Sequence, residues 1–99
     1  MKDGEIFDDF VFYAKIAING AVTPSVRAVT GSIDNDRIII RAIIDGVLDD
    51  QTEENIQIAG TEISAALPDI PMCYEEFEQR DAPLPYDDLL LDVVFYERD

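Results

Sequence analysis

A run of isoleucines followed directly by a helical pattern constrains this sequence more than any other feature. Residues 37–44 are rich in β-branched side chains, which favour a strand, and Asp45-Gly46 then interrupts the run. Beyond it, apolar or small residues recur at three- and four-residue intervals, as on one face of a helix. These are Ile56, Ala59, Gly60, Ile63, Ala66 and Leu67. The sequence therefore predicts a buried strand leading into a helix that ends near Leu67, before Pro68.

The predicted start of this helix is densely acidic. Asp50 and Glu53 have the spacing of a capping box, with Asp in place of the usual Ser or Thr. Acidic side chains at this position also interact favourably with the positive end of the helix dipole. Gly60, on the buried stripe, is interpreted as a point of close helix–sheet packing, which offsets its poor helix propensity. The acidic residues of this group are Asp45, Asp49, Asp50, Glu53 and Glu54.

The N-terminal segment allows two interpretations. Residues 10–18 are almost entirely apolar and do not alternate, which favours a helix capped by Asp8 or Asp9, after an irregular lead-in at residues 1–7. The alternative is a strand, because the following Asn19-Gly20 is a strong hairpin signal. In the helical interpretation one buried face carries Phe10, Tyr13, Ala14 and Ala17.

The remaining strands are predicted from periodicity and turn residues. Residues 25–33 form a strand that turns at residues 34–36 into the isoleucine strand, which makes a hairpin. Residues 72–79 alternate, and residues 89–96 are apolar on both faces, which predicts a central strand and a second hairpin. The predicted fold is one α+β domain over residues 1–99, in the order α-β-β-α-β-β. It has a four-stranded, mainly antiparallel sheet with two helices packed on one face.

Charge is distributed unevenly along the chain. The formal net charge is −15, of which residues 1–44 contribute −1 and residues 45–99 contribute −14. Such a field repels nucleic acid and anionic membranes and attracts cations or basic protein surfaces. Acidity can also serve solubility alone, but solubility does not require the charge to avoid one half of the chain. We therefore predict a basic protein partner, with no direct binding of nucleic acid or membrane.

Catalytic and metal-binding patterns are scarce. The chain has no histidine, the commonest general base and transition-metal ligand, and its single Cys73 is interpreted as a small apolar side chain. Asp34 and Asp36 could begin a calcium loop, but the required glycine and glutamate are missing. Asp92, the one acid within an apolar run, supports a carboxylate hydrolase only weakly. We therefore predict no enzyme, no cofactor and no metal site.

A second group of residues extends the predicted binding surface. It combines acids with tyrosines, which are enriched at protein interfaces. The absence of a membrane-length apolar run and of a signal peptide leads us to expect a soluble cytoplasmic protein. The residues of this second group are Tyr74, Glu75, Glu76, Glu78, Asp81, Tyr86, Asp87 and Asp88.

Several segments resemble a known class of proteins. They are residues 22–29, the isoleucine strand ending in Asp45-Gly46, residues 61–68 and residues 94–98. In these segments, spread over most of residues 16–99, the chain resembles small bacterial immunity proteins of contact-dependent growth inhibition and related polymorphic toxin systems. The resemblance implies a cytoplasmic protein that binds and neutralises the C-terminal domain of a delivered toxin, often a nuclease. The alternative is an acidic adaptor or nucleic-acid mimic that inhibits a host DNA-binding protein.

Overall fold

The computed structural model describes residues 3–98. Within this range a single 3-10 turn at Asp87–Leu89 accompanies two helices and four strands. The order confirms the predicted α-β-β-α-β-β fold class. The elements are α1 (Asp3–Asn19), β1 (Val26–Ile33), β2 (Arg37–Ile44), α2 (Asp50–Ala66), β3 (Met72–Gln79) and β4 (Val93–Glu97).

The sheet is mixed, with the spatial order β3-β2-β1-β4. Strand β1 pairs antiparallel with both β2 and β4, whereas β2 pairs parallel with β3. The predicted second hairpin is therefore wrong, and so is the central position of the last strand, because β3 and β4 form opposite edges. Helix α2 carries the chain back along the sheet, so that β3 enters beside β2 in the same direction, as a βαβ connection requires.

The segment between β3 and β4, residues 80–92, crosses the face of the sheet away from the helices. Thr30 Oγ1 donates to the carbonyl of Val93 at 2.6 Å and accepts from the amide of Leu91 at 2.9 Å. Arg41 donates to the carbonyl of Leu89 at 2.8 Å, and Arg27 donates to that of Leu84 at 2.7 Å. We call residues 80–92 the crossover segment. Strand side chains thus satisfy backbone groups of a loop that would otherwise need water.

Helix α1 confirms the helical interpretation of the N-terminal segment but begins earlier than predicted. Residues 3–7, expected to be irregular, belong to it, and residues 1–2 lie outside the described range. Phe10 and Ala14 are fully buried, whereas Tyr13 is 41% exposed, so its predicted place on the buried face is wrong. The buried stripe follows four-residue steps from Phe10 through Ala14 to Ile18, and Tyr13 falls beyond its edge. Neither helix is long and apolar enough to cross a membrane.

The core lies between the helices and the sheet. In β2, alternate residues face the helices, while Ile43 is fully buried on the other face, as is Ala28 of β1. This two-sided burial explains why apolar residues occupy both faces of the isoleucine strand. The ring of Phe10 meets that of Phe95 in β4 edge to face at 5.4 Å. The residues of β2 in the helix-side core are Ile38, Ile40, Ala42 and Ile44.

Candidate acidic binding surface

The two acidic groups predicted from the sequence meet in part at one end of the sheet. Ile44, the last residue of β2, pairs with Gln79, the last of β3, so the loops that follow both strands lie together. Asp81 accepts a hydrogen bond from the amide of Gly46 at 2.7 Å, and Asp45 accepts one from the amide of Ala82 at 3.1 Å. We call residues 45–54 together with residues 78–81 the acidic end.

Asp49 organises the start of α2. It is the N-cap residue, and its carboxylate accepts from the amide of Thr52 at 2.7 Å. The predicted capping box of Asp50 and Glu53 is therefore wrong, because the N-cap lies one residue earlier, at Asp49. Thr52 is fully buried, and its hydroxyl lies 2.5 Å from that of Thr23. This contact holds Thr52 in place, and the residue three positions before it, Asp49, therefore caps the helix. Hydrogen bonds to Thr52 lower the pKa of Asp49.

Asp45 is held by a cation from the end of the chain. Arg98 Nη2 lies 2.9 Å from Asp45 Oδ2, and both side chains are about one-third exposed. This hydrogen bond, together with that from Ala82, lowers the pKa of the Asp45 carboxyl. Asp45 and Asp49 thus stabilise the loop between β2 and α2. The negative charge available to a partner comes mainly from neighbouring acids of the acidic end.

Other acids of the acidic end point into solvent. Asp50, Glu54 and Glu78 are exposed, and Glu53 is partly exposed. Asp81 is also exposed, although its carboxylate holds Gly46. These side chains therefore place several negative charges on a backbone fixed by hydrogen bonds.

Strand β3 divides its predicted site residues between two faces of the sheet. Tyr74, 43% exposed, lies on the face away from the helices with Glu76, which accepts from Arg41 at 2.8 and 3.0 Å. Glu75 points towards α2, where a Cβ at Gly60 would lie 2.5 Å from its Oε2. Partial burial raises the pKa of Glu75. The contact confirms that Gly60 marks a close approach, and it removes Glu75 from the surface that Tyr74 occupies.

Cys73 lies beside the same contact. Its thiol is within 3.6 Å of the carbonyl of Gly60, and burial raises its pKa to about 12. The thiol is therefore protonated at neutral pH and packs as a small side chain, as the sequence predicts.

The predicted residues of the crossover segment mainly hold that segment in place. Tyr86 donates to Glu97 at 2.7 Å, a bond that raises its pKa, and the Arg27 guanidinium lies 4.7 Å from its ring centroid. Asp88 forms a two-pronged ion pair with Arg80 at 2.8 and 3.0 Å, which lowers its pKa. Asp87, in contrast, is exposed.

Sequence reasoning missed the structural role of the arginines. Arg27, Arg41, Arg80 and Arg98 all bind the crossover segment or the loops beside it, each through at least one backbone carbonyl. The carboxylates that three of them pair with are Glu76, Asp88 and Asp45, so these arginines do not neutralise the acids at the start of α2. Alternation within β2, where Arg41 falls between buried apolar positions, is a signal that could have identified one of them.

The weaker chemical candidates have structural explanations. Asp34 accepts from the amides of Asp36 and Arg37, which makes it a turn residue. Asp92 is exposed and lies just before β4. Across residues 3–98, no group of three or more cysteine, aspartate or glutamate side chains is arranged to hold a metal ion.

Acidification should weaken the fold through Asp49. Because its pKa is lower in the folded state, its contribution to stability is complete above the unfolded value of 3.8 and is lost as pH falls through the folded value. We expect Asp49→Asn, which keeps a capping oxygen, to show a shallower loss of unfolding free energy between pH 5 and pH 3 in urea titrations. Asp50→Asn is the matched control, and equal slopes for the two variants would contradict the prediction.

Comparison with known proteins identifies the family. No curated protein matches the chain. The family model described as MafI2 immunity protein matches residues 8–99. This range contains all four strands, helix α2 and all of α1 except its first five residues. This match confirms the predicted class of small immunity protein. The chain therefore belongs to the MafI2 immunity protein family.

Proposed function

We propose that this protein neutralises a cognate toxin domain by binding it through the acidic end. The toxin domain carries a basic cleft, as a nuclease does, and the system is of the polymorphic, contact-dependent type. Neutralisation takes place in the cytoplasm and proceeds by binding, without catalysis or a cofactor. The observation that carries the proposal is the concentration of exposed carboxylates on one anchored end of a member of an immunity protein family. That membership favours a toxin over a host DNA-binding protein as the partner.

The acidic end suits a cationic cleft for two physical reasons. Its exposed acids Asp50, Glu54 and Glu78, with the partly exposed Glu53, have the same sign as a phosphate backbone. They therefore attract the cationic side chains that would bind nucleic acid. These acids lie on α2 and β3, and the loops next to those elements are held by hydrogen bonds to Asp45, Asp49 and Asp81, which reduces the entropy lost on binding. Occupation of the cleft would then exclude the substrate sterically and electrostatically.

Removing charge from the acidic end should slow association. We expect the triple variant Asp50→Asn, Glu53→Gln, Glu54→Gln to bind the toxin domain about tenfold more slowly at low salt, because electrostatic steering raises association rates by factors of 10 to 10³. The measurement is surface plasmon resonance at several sodium chloride concentrations, with the inactivated cognate toxin domain as the binding partner. The salt dependence of the association rate should also become weaker.

A matched control removes equal charge from the other end of the sheet. Asp36, Asp69 and Asp92 are exposed and lie just before β2, β3 and β4, which run in the same direction, so they share the opposite end. Their conversion to asparagine should leave association nearly as fast as in the wild type. Equal slowing by both triple variants would show that net charge and not the acidic end steers the toxin, and would refute the proposed site.

A further inference from the structure

The outer face of the helix layer exposes large apolar side chains. Phe12 and Ile16 of α1 are 59% and 61% exposed, and Ile58 of α2 is 50% exposed. A folded monomer rarely gathers such side chains on one surface without a binding role. We call Phe12, Ile16 and Ile58 the helix-layer patch. None of the three belongs to the core, so packing of the fold does not account for them.

The patch is contiguous. Phe12 and Ile16 are four residues apart and therefore lie on one stripe of α1. Ile16 and Ile58 line the same shallow groove between the two helices, and Ile16 also borders a second groove with Phe95. The ring of Phe12 packs edge to face against Tyr13 at a centroid distance of 5.2 Å, which limits its freedom before any partner arrives. Ile16 thus forms a ridge between two grooves.

Acidic residues frame the patch. Asp8 precedes Phe12 by one helical turn, and Glu54 and Glu62 lie one turn on either side of Ile58. All three acids are exposed. Lys15 lies next to Ile16 and lines the second groove with it, so the rim carries three acids and one lysine. The surface therefore has an apolar centre and a polar, predominantly anionic rim, and a polar rim is the general arrangement of a protein interface. Because Glu54 also belongs to the acidic end, the two surfaces are continuous.

The charge of the rim selects the kind of partner. In a symmetric contact with a second copy, the same patch would face itself and bring the acids of each rim together. Such like-charge contact is unfavourable, more so in a chain of net charge −15. An anionic membrane is disfavoured for the same reason. A protein surface with an apolar centre and a basic rim satisfies both features of the patch.

We propose that the helix-layer patch is a second contact surface for the toxin domain, next to the acidic end. This inference rests on the proposed function, which supplies the basic protein partner. The two surfaces have different kinetic roles: the acidic end accelerates encounter, and the apolar side chains slow dissociation once they are desolvated. The toxin surface that meets the patch carries an apolar depression bordered by lysine or arginine.

The test is to shorten the apolar side chains and follow dissociation. We expect the double variant Phe12→Ala, Ile16→Ala to dissociate from the inactivated toxin domain at least about tenfold faster, as for truncation of central interface residues, with an association rate within about twofold of the wild type. Leu84→Ala is the matched control, because Leu84 is 56% exposed but lies on the crossover segment, across the sheet from the helices. It should leave both rates unchanged.

The outcomes separate this inference from the proposed function. An unchanged dissociation rate in the double variant, with tight wild-type binding, would overturn the helix-layer patch and leave the acidic end intact. No binding of the wild-type protein to the toxin domain would overturn both. Sedimentation velocity tests whether a second copy of this chain occupies the patch instead. A wild-type dimer that becomes a monomer in the double variant would show that it does, and would overturn the inference.

Discussion

Replacement of Phe10 by alanine should lower the free energy of unfolding by about 3–5 kcal/mol. Its ring is fully buried and meets Phe95 edge to face at 5.4 Å, so it joins α1 to the edge strand β4. Truncation removes apolar burial and leaves a cavity between two elements that are far apart in the sequence. Since domains of this size are stable by only about 5–15 kcal/mol, a large part of the total stability would be lost. Urea denaturation followed by far-UV circular dichroism measures the change.

Phe12 provides the matched control on the same helix. It carries the same side chain two residues later but is 59% exposed, so Phe12→Ala should change the unfolding free energy by no more than about 0.5 kcal/mol. The two variants should also differ in binding, because Phe12 belongs to the helix-layer patch. Similar destabilisation in both variants would mean that Phe10 does not join α1 to β4 as described.

A methyl group at Gly31 should also be costly. The added Cβ of Gly31→Ala would lie 2.7 Å from the carbonyl oxygen of Ile39 and 2.8 Å from the ring of Phe95. The carbonyl belongs to the neighbouring strand β2 and cannot move without disturbing the sheet. We expect a loss of about 1–3 kcal/mol, the usual cost of overpacking, measured by urea denaturation.

Gly60 offers an instructive contrast. An added Cβ there would lie 2.5 Å from Oε2 of Glu75, an even shorter distance, but the obstacle is the end of a flexible side chain that can rotate towards solvent. Alanine also restores up to about 1 kcal/mol of helix propensity. Gly60→Ala should therefore cost clearly less than Gly31→Ala. The reverse order would show that the Glu75 side chain is more rigidly held than its partial exposure implies.

The acidic surface could be predicted only in part from the sequence. Clustering of carboxylates before α2 is a local property, and the structure keeps Asp50, Glu53 and Glu54 together. The predicted acids of β3 separate, because adjacent residues of a strand point to opposite faces: Glu75 turns to Gly60 and Glu76 to Arg41. Exposure also depends on pairing with distant residues. The ion pair between Arg98 and Asp45 cannot be predicted from the residues near either of them in the sequence.

Local periodicity in the sequence was sufficient to predict the order of the elements and the identity of all but the N-terminal one, for which helix and strand both remained possible. The bounds of β2 and β3 follow directly from composition and alternation, because each residue's preference depends on its near neighbours. Only the tertiary structure decided which strands pair, because an apolar run such as that before Tyr96 fits an edge of a sheet as well as its centre. In β4 the run is only partly buried, and Val94 is 37% exposed. Here α1 covers one side of β4, and hydrogen bonds from Thr30 and Arg41 hold the crossover segment across the other face of the sheet. These contacts join residues more than forty positions apart, and no local pattern encodes them.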